Sequence, residues 1–206
     1  MTEVLAPAAP PTPHGRLGRV VTEVLAPPCI GAATLLLLGW RGAGLPGLLE
    51  GAVAALLVTV LPYAVVIIGV RSGRWKDRML TTRRQRIVPI LSNIAFAIAG
   101  LIIAILRDAP LSIAAFIIAA IGTQAILFVI NLAWKISFHA GVSTGIAIIL
   151  ASEFSPTLLV VLIPLVVLVG WARVAVREHT VAQVLVGAPV GGASLALIYQ
   201  YSLTWL

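Results

Sequence analysis

The chain has 206 residues, of which 60% are hydrophobic and only 10% are charged. A soluble domain carries roughly 25% charged residues, and a water-soluble fold of this length could not bury so much apolar surface. The composition therefore excludes a soluble globular domain and indicates a protein whose solvent is the bilayer. Because the apolar runs are long and continuous and do not alternate, they predict membrane-spanning helices and not a β-barrel.

The formal net charge of +7 has a simpler explanation here than nucleic-acid binding, which we do not expect. Lysine and arginine collect in the cytoplasmic loops of membrane proteins. The only cysteine, Cys29, lies in an apolar stretch, so an intrachain disulfide is excluded and a cysteine-based metal site is not expected.

The first 15 residues are rich in proline and alanine and predict a disordered leader, followed by a single transmembrane domain over residues 16–206. Within that domain we predict six or seven helices, an all-α polytopic bundle. The apolar spans lie at about Val24–Trp40, Gly51–Val70, Ile87–Leu106, Leu111–Trp134, Ala140–Ser152, Pro156–Trp171 and Val181–Tyr201.

The fifth and sixth spans are shorter than the roughly 20 residues that a bilayer requires. Extending them brings their polar ends to membrane depth, which is tolerated where those ends line a cavity inside the protein. Span length alone therefore predicts that residues 135–139 and 172–180 line a pocket.

With seven helices, every lysine and arginine except Arg41 and Arg107 falls on one side of the membrane. The positive-inside rule places that side in the cytoplasm. We therefore expect a multi-pass protein of the cell membrane whose polar clusters face the cytoplasm.

Three polar clusters lie on this side: residues 71–86, residues 135–139 and residues 171–183. Each alone is compatible with a basic loop that meets anionic headgroups, or with a helix end carrying a snorkelling lysine. The chain crosses the membrane twice between consecutive clusters, however, so all three meet the same face. Two histidines, several arginines and a lysine are thus predicted to converge.

Cations and imidazoles without a pair of carboxylates suit a phosphate ligand. Guanidinium groups bind phosphate oxygens in bidentate fashion, and histidine can attack phosphorus or protonate a leaving oxygen. No Asp-rich motif that would chelate magnesium on a diphosphate is present, so we expect neither a metal nor another cofactor.

These residues resemble the type 2 phosphatidic acid phosphatase (PAP2) superfamily over about residues 71–190. That family carries Lys-x6-Arg-Pro, Pro-Ser-Gly-His and Ser-Arg-x5-His-x3-Asp. The first is similar to Lys76 and Arg83 with Arg84 for the proline. The second is similar to Ser137 and His139 with Phe138 for the glycine, and the third to Arg173, His179 and Gln183 with glutamine for the aspartate.

The resemblance implies a PAP2-like bundle in which His179 is the nucleophile that forms a phosphohistidine and His139 is the general acid. It implies that Gln183 orients His179, and that phosphate is bound by Lys76, Arg83, Arg84, Arg173 and Ser137. Gln183 and Phe138 depart from the family pattern. An amide oxygen can accept a hydrogen bond from the imidazole but supplies no charge, which could cost several kcal/mol in the transition state by analogy with hydrolase triads.

Three functions remain open at this point. The first is a metal-independent phosphatase acting on a lipid phosphate or a (poly)prenyl (di)phosphate. The second is a prenyl diphosphate lyase or cyclase on the same scaffold. The third is a catalytically weak protein that binds or transports a lipid phosphate. The expected partners are that lipid and the surrounding membrane lipids, and the sequence leaves the oligomeric state open.

Overall fold

The computed structural model describes residues 13–74 and 87–206, and this part of the chain is helical throughout, with no strand. The helices are α1 (Pro13–Val24), α2 (Pro27–Ala55), α3 (Leu61–Arg71), α4 (Ile87–Leu106), α5 (Leu111–Ala133), α6 (Phe138–Glu153), α7 (Leu159–Ala175) and α8 (Val181–Trp205). A π-helical turn, Leu56–Val60, joins α2 to α3, and a 3₁₀ turn, Pro156–Leu158, precedes α7. The predicted all-α class is confirmed.

Helix α2 is a hairpin of two antiparallel arms. Ala43 and Gly44 leave the helical region, and Gly44 has a φ of +60°, where glycine avoids the steric penalty of a side chain. A Cβ at Gly39 would lie 2.1 Å from the carbonyl oxygen of Gly47, so only glycine allows the two arms to touch there. The chain therefore reverses direction at residues 43–44.

Four segments of the described chain are long and apolar enough to cross a membrane: Gly15–Arg71, Leu111–Ala133, Pro156–Ala175 and Val181–Trp205. The first of these contains the α2 hairpin. Two shorter apolar helices, Leu91–Leu106 and Phe138–Glu153, complete the bundle. Length and composition thus define an all-helical membrane protein with several spanning helices.

Helix α8 packs most extensively against α6 and α5. Small residues make the α6–α8 approach possible: a Cβ at Gly141 would lie 2.9 Å from the carbonyl oxygen of Gly187. The outward face of α7, in contrast, exposes large aliphatic side chains such as Val160 and Val167. Close packing inside and apolar residues outside are what a bundle in lipid requires.

Salt bridges join the helix ends at the pole that includes the α2 hairpin turn. Arg107 donates to Glu50 at 2.8 Å, and Arg41 donates to Glu153 at 3.3 Å. The buried Tyr199 donates its hydroxyl to the same Glu153 at 2.7 Å. The two cations that the sequence assigns to this side therefore tie α2 to α4 and α6.

Helix α1 begins at Pro13, so the last residues of the expected leader belong to a helix; residues 1–12 lie outside the described part. The chain bends between α1 and α2, where Ala26 is extended with φ −63° and ψ 145°. Pro27 follows it, and a residue before proline is driven out of the α region.

Candidate functional site

The site is formed at the pole opposite the hairpin turn, where α6 begins, α7 ends and α8 begins. At the start of α6, Ser137 is the N-cap, and its Oγ accepts from the backbone N–H of Ala140 at 3.3 Å. The N–H of Ser137 donates to the carbonyl oxygen of Gln183 at 3.3 Å, which ties α6 to α8. This fixes the first turn of α6 and with it His139, its second residue.

Ser137 is fully buried. Its hydroxyl oxygen is occupied by the cap, and its backbone lies against Gly187 of α8, where an added Cβ would come within 2.8 Å of the Ser137 carbonyl oxygen. Ser137 therefore caps α6 and contacts α8, which joins the two helices.

A tight turn at the end of α7 returns the chain toward Arg173. The carbonyl oxygen of Arg173 accepts from the backbone N–H groups of Glu178 and His179, at 3.1 and 3.2 Å. Arg177 lies in the left-handed region with a φ of +59°, the conformation that commonly ends a helix. His179 is thereby held next to the residue six positions before it.

The start of α8 holds the His179 ring through Gln183. Thr180 and Gln183 form a reciprocal capping box, in which Gln183 Oε1 accepts from the Thr180 N–H at 3.0 Å. The same Oε1 lies 3.3 Å from Nδ1 of His179. Because an amide oxygen can only accept, Nδ1 is the protonated ring nitrogen in this pair, and the lone pair of the neutral ring is on Nε2.

The two histidines and Arg173 form one cluster. Arg173 and His179 both lie close enough to His139 to act on it electrostatically, and Arg173 acts on His179 as well. Since His139 starts α6 while Arg173 and His179 flank the end of α7, the structure brings together residues that lie 34 and 40 positions apart. The predicted phosphate ligands Lys76, Arg83 and Arg84 lie outside the described residues.

Arg173 is the most unusual residue of this cluster. It is only 3% exposed, and its Nε and Nη1 atoms have no hydrogen-bond partner within the described structure. Buried polar atoms are nearly always paired, and a buried charge is costly unless it is both paired and hydrogen-bonded. The N–H groups on these two nitrogens are therefore available to an anion beside the imidazoles.

The pKa of His179 is lowered to about 4. Desolvation is the largest cause, followed by the positive charges of Arg173 and Lys135, while the hydrogen bond to Gln183 acts in the opposite direction. His179 is therefore a neutral imidazole at physiological pH, with a free lone pair.

Lys135 is a member of the cluster to which the sequence assigned no role. Its Nζ donates to the carbonyl oxygen of Glu178 and lies 3.9 Å from the Glu178 carboxylate. It therefore clamps the turn that carries His179 and adds positive charge to it. The sequence could have indicated this role, because Lys135 lies two residues before Ser137 in the second polar cluster.

An apolar cavity of about 140 Å³ lies between α2, α6 and α7. Ser143 lines it one helical turn beyond His139, and Val169 lines it one turn before Arg173. The cavity thus comes within one helical turn of the polar cluster, although no residue of the cluster lines it.

Within the described residues, no three His, Cys, Asp or Glu side chains come together in a way that could hold a metal ion. The polar chemistry of this pole is that of arginine, lysine and histidine. The fold and the site together define an all-helical membrane protein with a cationic, histidine-containing cluster at one end. No family model, curated protein or solved structure matches the chain.

Proposed function

We propose that the protein is a membrane phosphatase that removes phosphate from a lipid phosphate or a prenyl (di)phosphate without a metal. The observation that carries the proposal is the buried guanidinium of Arg173, whose Nε and Nη1 lie next to two histidines and have no hydrogen-bond partner in the part of the chain that the structure describes. A phosphate accepts such donors in bidentate geometry, and its negative charge would compensate the buried positive charge. An uncharged ligand would satisfy the donors but not the charge.

In the proposed reaction Nε2 of His179 attacks phosphorus while the bond from phosphorus to the leaving oxygen breaks. That oxygen belongs to the lipid alcohol in a monophosphate and is the bridging oxygen in a diphosphate. His139, protonated in the substrate complex beside the negative charge of the phosphate, donates its proton to this oxygen, so that the leaving group is the alcohol or the lipid monophosphate. Water then attacks the phosphohistidine, loses a proton to His139 and releases phosphate, so both histidines return to their starting state. Arg173 stabilises the charge on the transferring group throughout.

Gln183 is the positioning residue for this nucleophile. Its amide oxygen accepts from Nδ1 and so keeps the reactive lone pair on Nε2. It offers no negative charge to the imidazolium that develops in the reaction, which predicts slower turnover than a carboxylate would give.

The cavity between α2, α6 and α7 supports a lipid as the substrate, because its apolar lining comes within one helical turn of Arg173 and His139. The lining residues nearest the site, Val169 and Ser143, lie on the same helices as those two residues. A soluble phosphate ester would make no use of the cavity.

The proposed topology has seven membrane crossings, counting the two arms of the α2–α3 segment separately, with the site on the cytoplasmic face. Two features support this topology. The α2 hairpin turns at one pole of the bundle, and α1 packs against the end of α7 at the opposite pole, where the site lies. In this arrangement Lys76, Arg83 and Arg84 face the same compartment as Arg173 and would complete the phosphate ligands, as the resemblance to the PAP2 superfamily implies. A prenyl-type substrate fits a cytoplasmic site because prenyl diphosphates are made in that compartment.

The test is phosphate release by purified protein from a panel of lipid phosphates and prenyl diphosphates. We expect phosphate release to be abolished in His179→Ala and Arg173→Met. It should be retained in His14→Ala, which changes the one histidine of the chain that is not part of the proposed site. Release that persists undiminished in His179→Ala would refute the assignment. Mass analysis of the products distinguishes hydrolysis, which yields a plain alcohol, from elimination or cyclisation, which yields a hydrocarbon.

A second candidate function is phosphate-lipid binding without turnover, and the uncharged Gln183 is the observation that favours it. Both candidates require an anion at Arg173, so binding alone does not separate them. A lipid phosphate that binds the wild-type protein and not Arg173→Met, and that is recovered intact after prolonged incubation, would establish the binder.

A further inference from the structure

Helix α1 has three distinct faces. Gly18 and Thr22, four residues apart, are buried. Leu17, Val20 and Val24 follow the i, i+3, i+7 spacing of a second face, and they are 55%, 59% and 63% exposed. The third face, with the same spacing, carries the exposed charged residues Arg16, Arg19 and Glu23.

The buried face packs against the end of α7 that carries the site. A Cβ at Gly18 would lie 3.2 Å from Cγ1 of Val176 and 3.3 Å from the carbonyl oxygen of Ala172. Glycine therefore allows α1 to approach the α7 backbone directly beside Arg173. Because the chain bends at Ala26, α1 does not simply extend α2.

The contact with α7 determines how deep α1 lies in the membrane as well as how it is oriented. The end of a membrane helix lies near the headgroups, and α1 contacts α7 over its last turn, Ala172 to Val176. One exposed face of α1 is apolar and the other is charged, with two arginines against one glutamate. The charged face is stable in water but the apolar face is not. At the boundary between headgroups and acyl chains, both faces are in a favourable environment.

We propose that α1 is an interfacial helix that binds the lipid surface. Leu17, Val20 and Val24 enter the acyl boundary, while Arg16 and Arg19 meet the phosphates of anionic lipids. Each basic residue near an anionic membrane surface contributes about 1 kcal/mol, or about fivefold in affinity for that surface. The helix thereby holds the α7 end that carries Arg173 at the level of the headgroups, whichever ligand the site takes.

The experiment is a spin-label scan of the full chain in proteoliposomes, with Cys29→Ser as background because Cys29 is exposed. Labels replace residues 17, 20 and 24 on one face and residues 16, 19 and 23 on the other. We expect the first set to be more accessible to oxygen, which partitions into lipid, and the second to a water-soluble nickel chelate. Nickel accessibility at all six positions would place α1 in water and overturn the proposal.

A second copy of the chain or another protein on the apolar face would make positions 17, 20 and 24 inaccessible to both reagents, and this outcome too would overturn the proposal.

The role of the arginines is tested by Arg16→Glu combined with Arg19→Glu. The oxygen-to-nickel ratio at position 20 should fall severalfold in vesicles that contain phosphatidylglycerol, and less in vesicles of phosphatidylcholine alone. Equal effects in the two would refute the anionic-lipid contact. Phosphatase activity enters none of these readouts, so the test is independent of the proposed reaction.

Discussion

Replacing Arg173 with methionine should stabilise the ligand-free protein. Arg173 is 3% exposed, and its Nε and Nη1 have no hydrogen-bond partner among the described residues. Each buried unsatisfied donor costs about 1–3 kcal/mol. The carboxylate of Glu178 acts on Arg173 electrostatically and offsets part of that cost. We therefore expect a gain of about 2 kcal/mol, which in a chain of this size raises Tm by roughly 4–8 °C.

The variant should still fold, because the structural role of residue 173 belongs to its backbone. Its carbonyl oxygen accepts from Glu178 and His179 whichever side chain it carries. Arg177→Met, an equivalent change at an exposed position of the same turn, is the matched control and should leave Tm nearly unchanged.

The assay is thermal unfolding in detergent with and without inorganic phosphate. Phosphate at 100 times its Kd should stabilise the wild-type protein by about 2.7 kcal/mol and leave Arg173→Met unaffected. A lower Tm for ligand-free Arg173→Met than for the wild type would show that the guanidinium already has a compensating partner. It would then be a structural charge, and the argument for an anion site would fail.

Three further predictions concern the cluster. The acid limb of the pH profile of kcat/KM should lie near pH 4, because His179, with its lowered pKa, is protonated and loses its lone pair only below that pH. Lys135→Met removes a nearby positive charge, which raises the pKa of His179, so it should move the limb to higher pH. Gln183→Glu keeps both hydrogen bonds of the amide oxygen and adds a charge, so kcat measured at neutral pH should rise about tenfold or more. Gly187→Ala should separate α6 from α8 and reduce both Tm and activity, whereas Gly31→Ala, whose Cβ would meet Thr59 at an ordinary 3.5 Å, should be tolerated.

The convergence of the second and third polar clusters could be predicted from the sequence because it depends on counting crossings. Two passes through a membrane return the chain to the same face, and the spacing that defines Lys135, His139, Arg173 and His179 is readable without coordinates. The i, i+4 spacing of His179 and Gln183 predicted a contact on one helix face. The two side chains do meet, but α8 is capped at Thr180, so His179 precedes the helix and reaches Gln183 through the capping turn. The structure adds the distances and the burial.

The packing that holds the cluster could not be predicted in this way. That Gly187 contacts the backbone of Ser137 depends on which faces of α6 and α8 meet, and many glycines in the sequence are equally suited to such an approach. The burial of Arg173 depends on how α7 packs against α1, α6 and α8. A reversal between the predicted spans Val24–Trp40 and Gly51–Val70 was expected, but its place at Ala43 and Gly44 and the close contact of the two arms were not.

The salt bridges at the other pole were missed for a related reason. The sequence placed Arg41 and Arg107 on that side as the exceptions to a charge bias, without their partners. Glu50 and Glu153 lie at helix ends that only the folded bundle brings beside these arginines. Crossing number predicts which residues share a face, but not which of them are in contact.

The pattern of satisfied and unsatisfied groups is the strongest argument that the cluster is a binding site. Around it, the Arg173 carbonyl oxygen accepts twice, Thr180 and Gln183 bond reciprocally, and the N–H of Ser137 reaches across to α8. A poorly packed helix end would leave backbone and side-chain groups unpaired alike. Here these backbone groups are paired, whereas Nε and Nη1 of Arg173 have no partner among residues 13–74 and 87–206, so both nitrogens are held in place by a well-bonded turn. Preorganised donors of this kind are what stabilise a phosphate without having to rearrange around it.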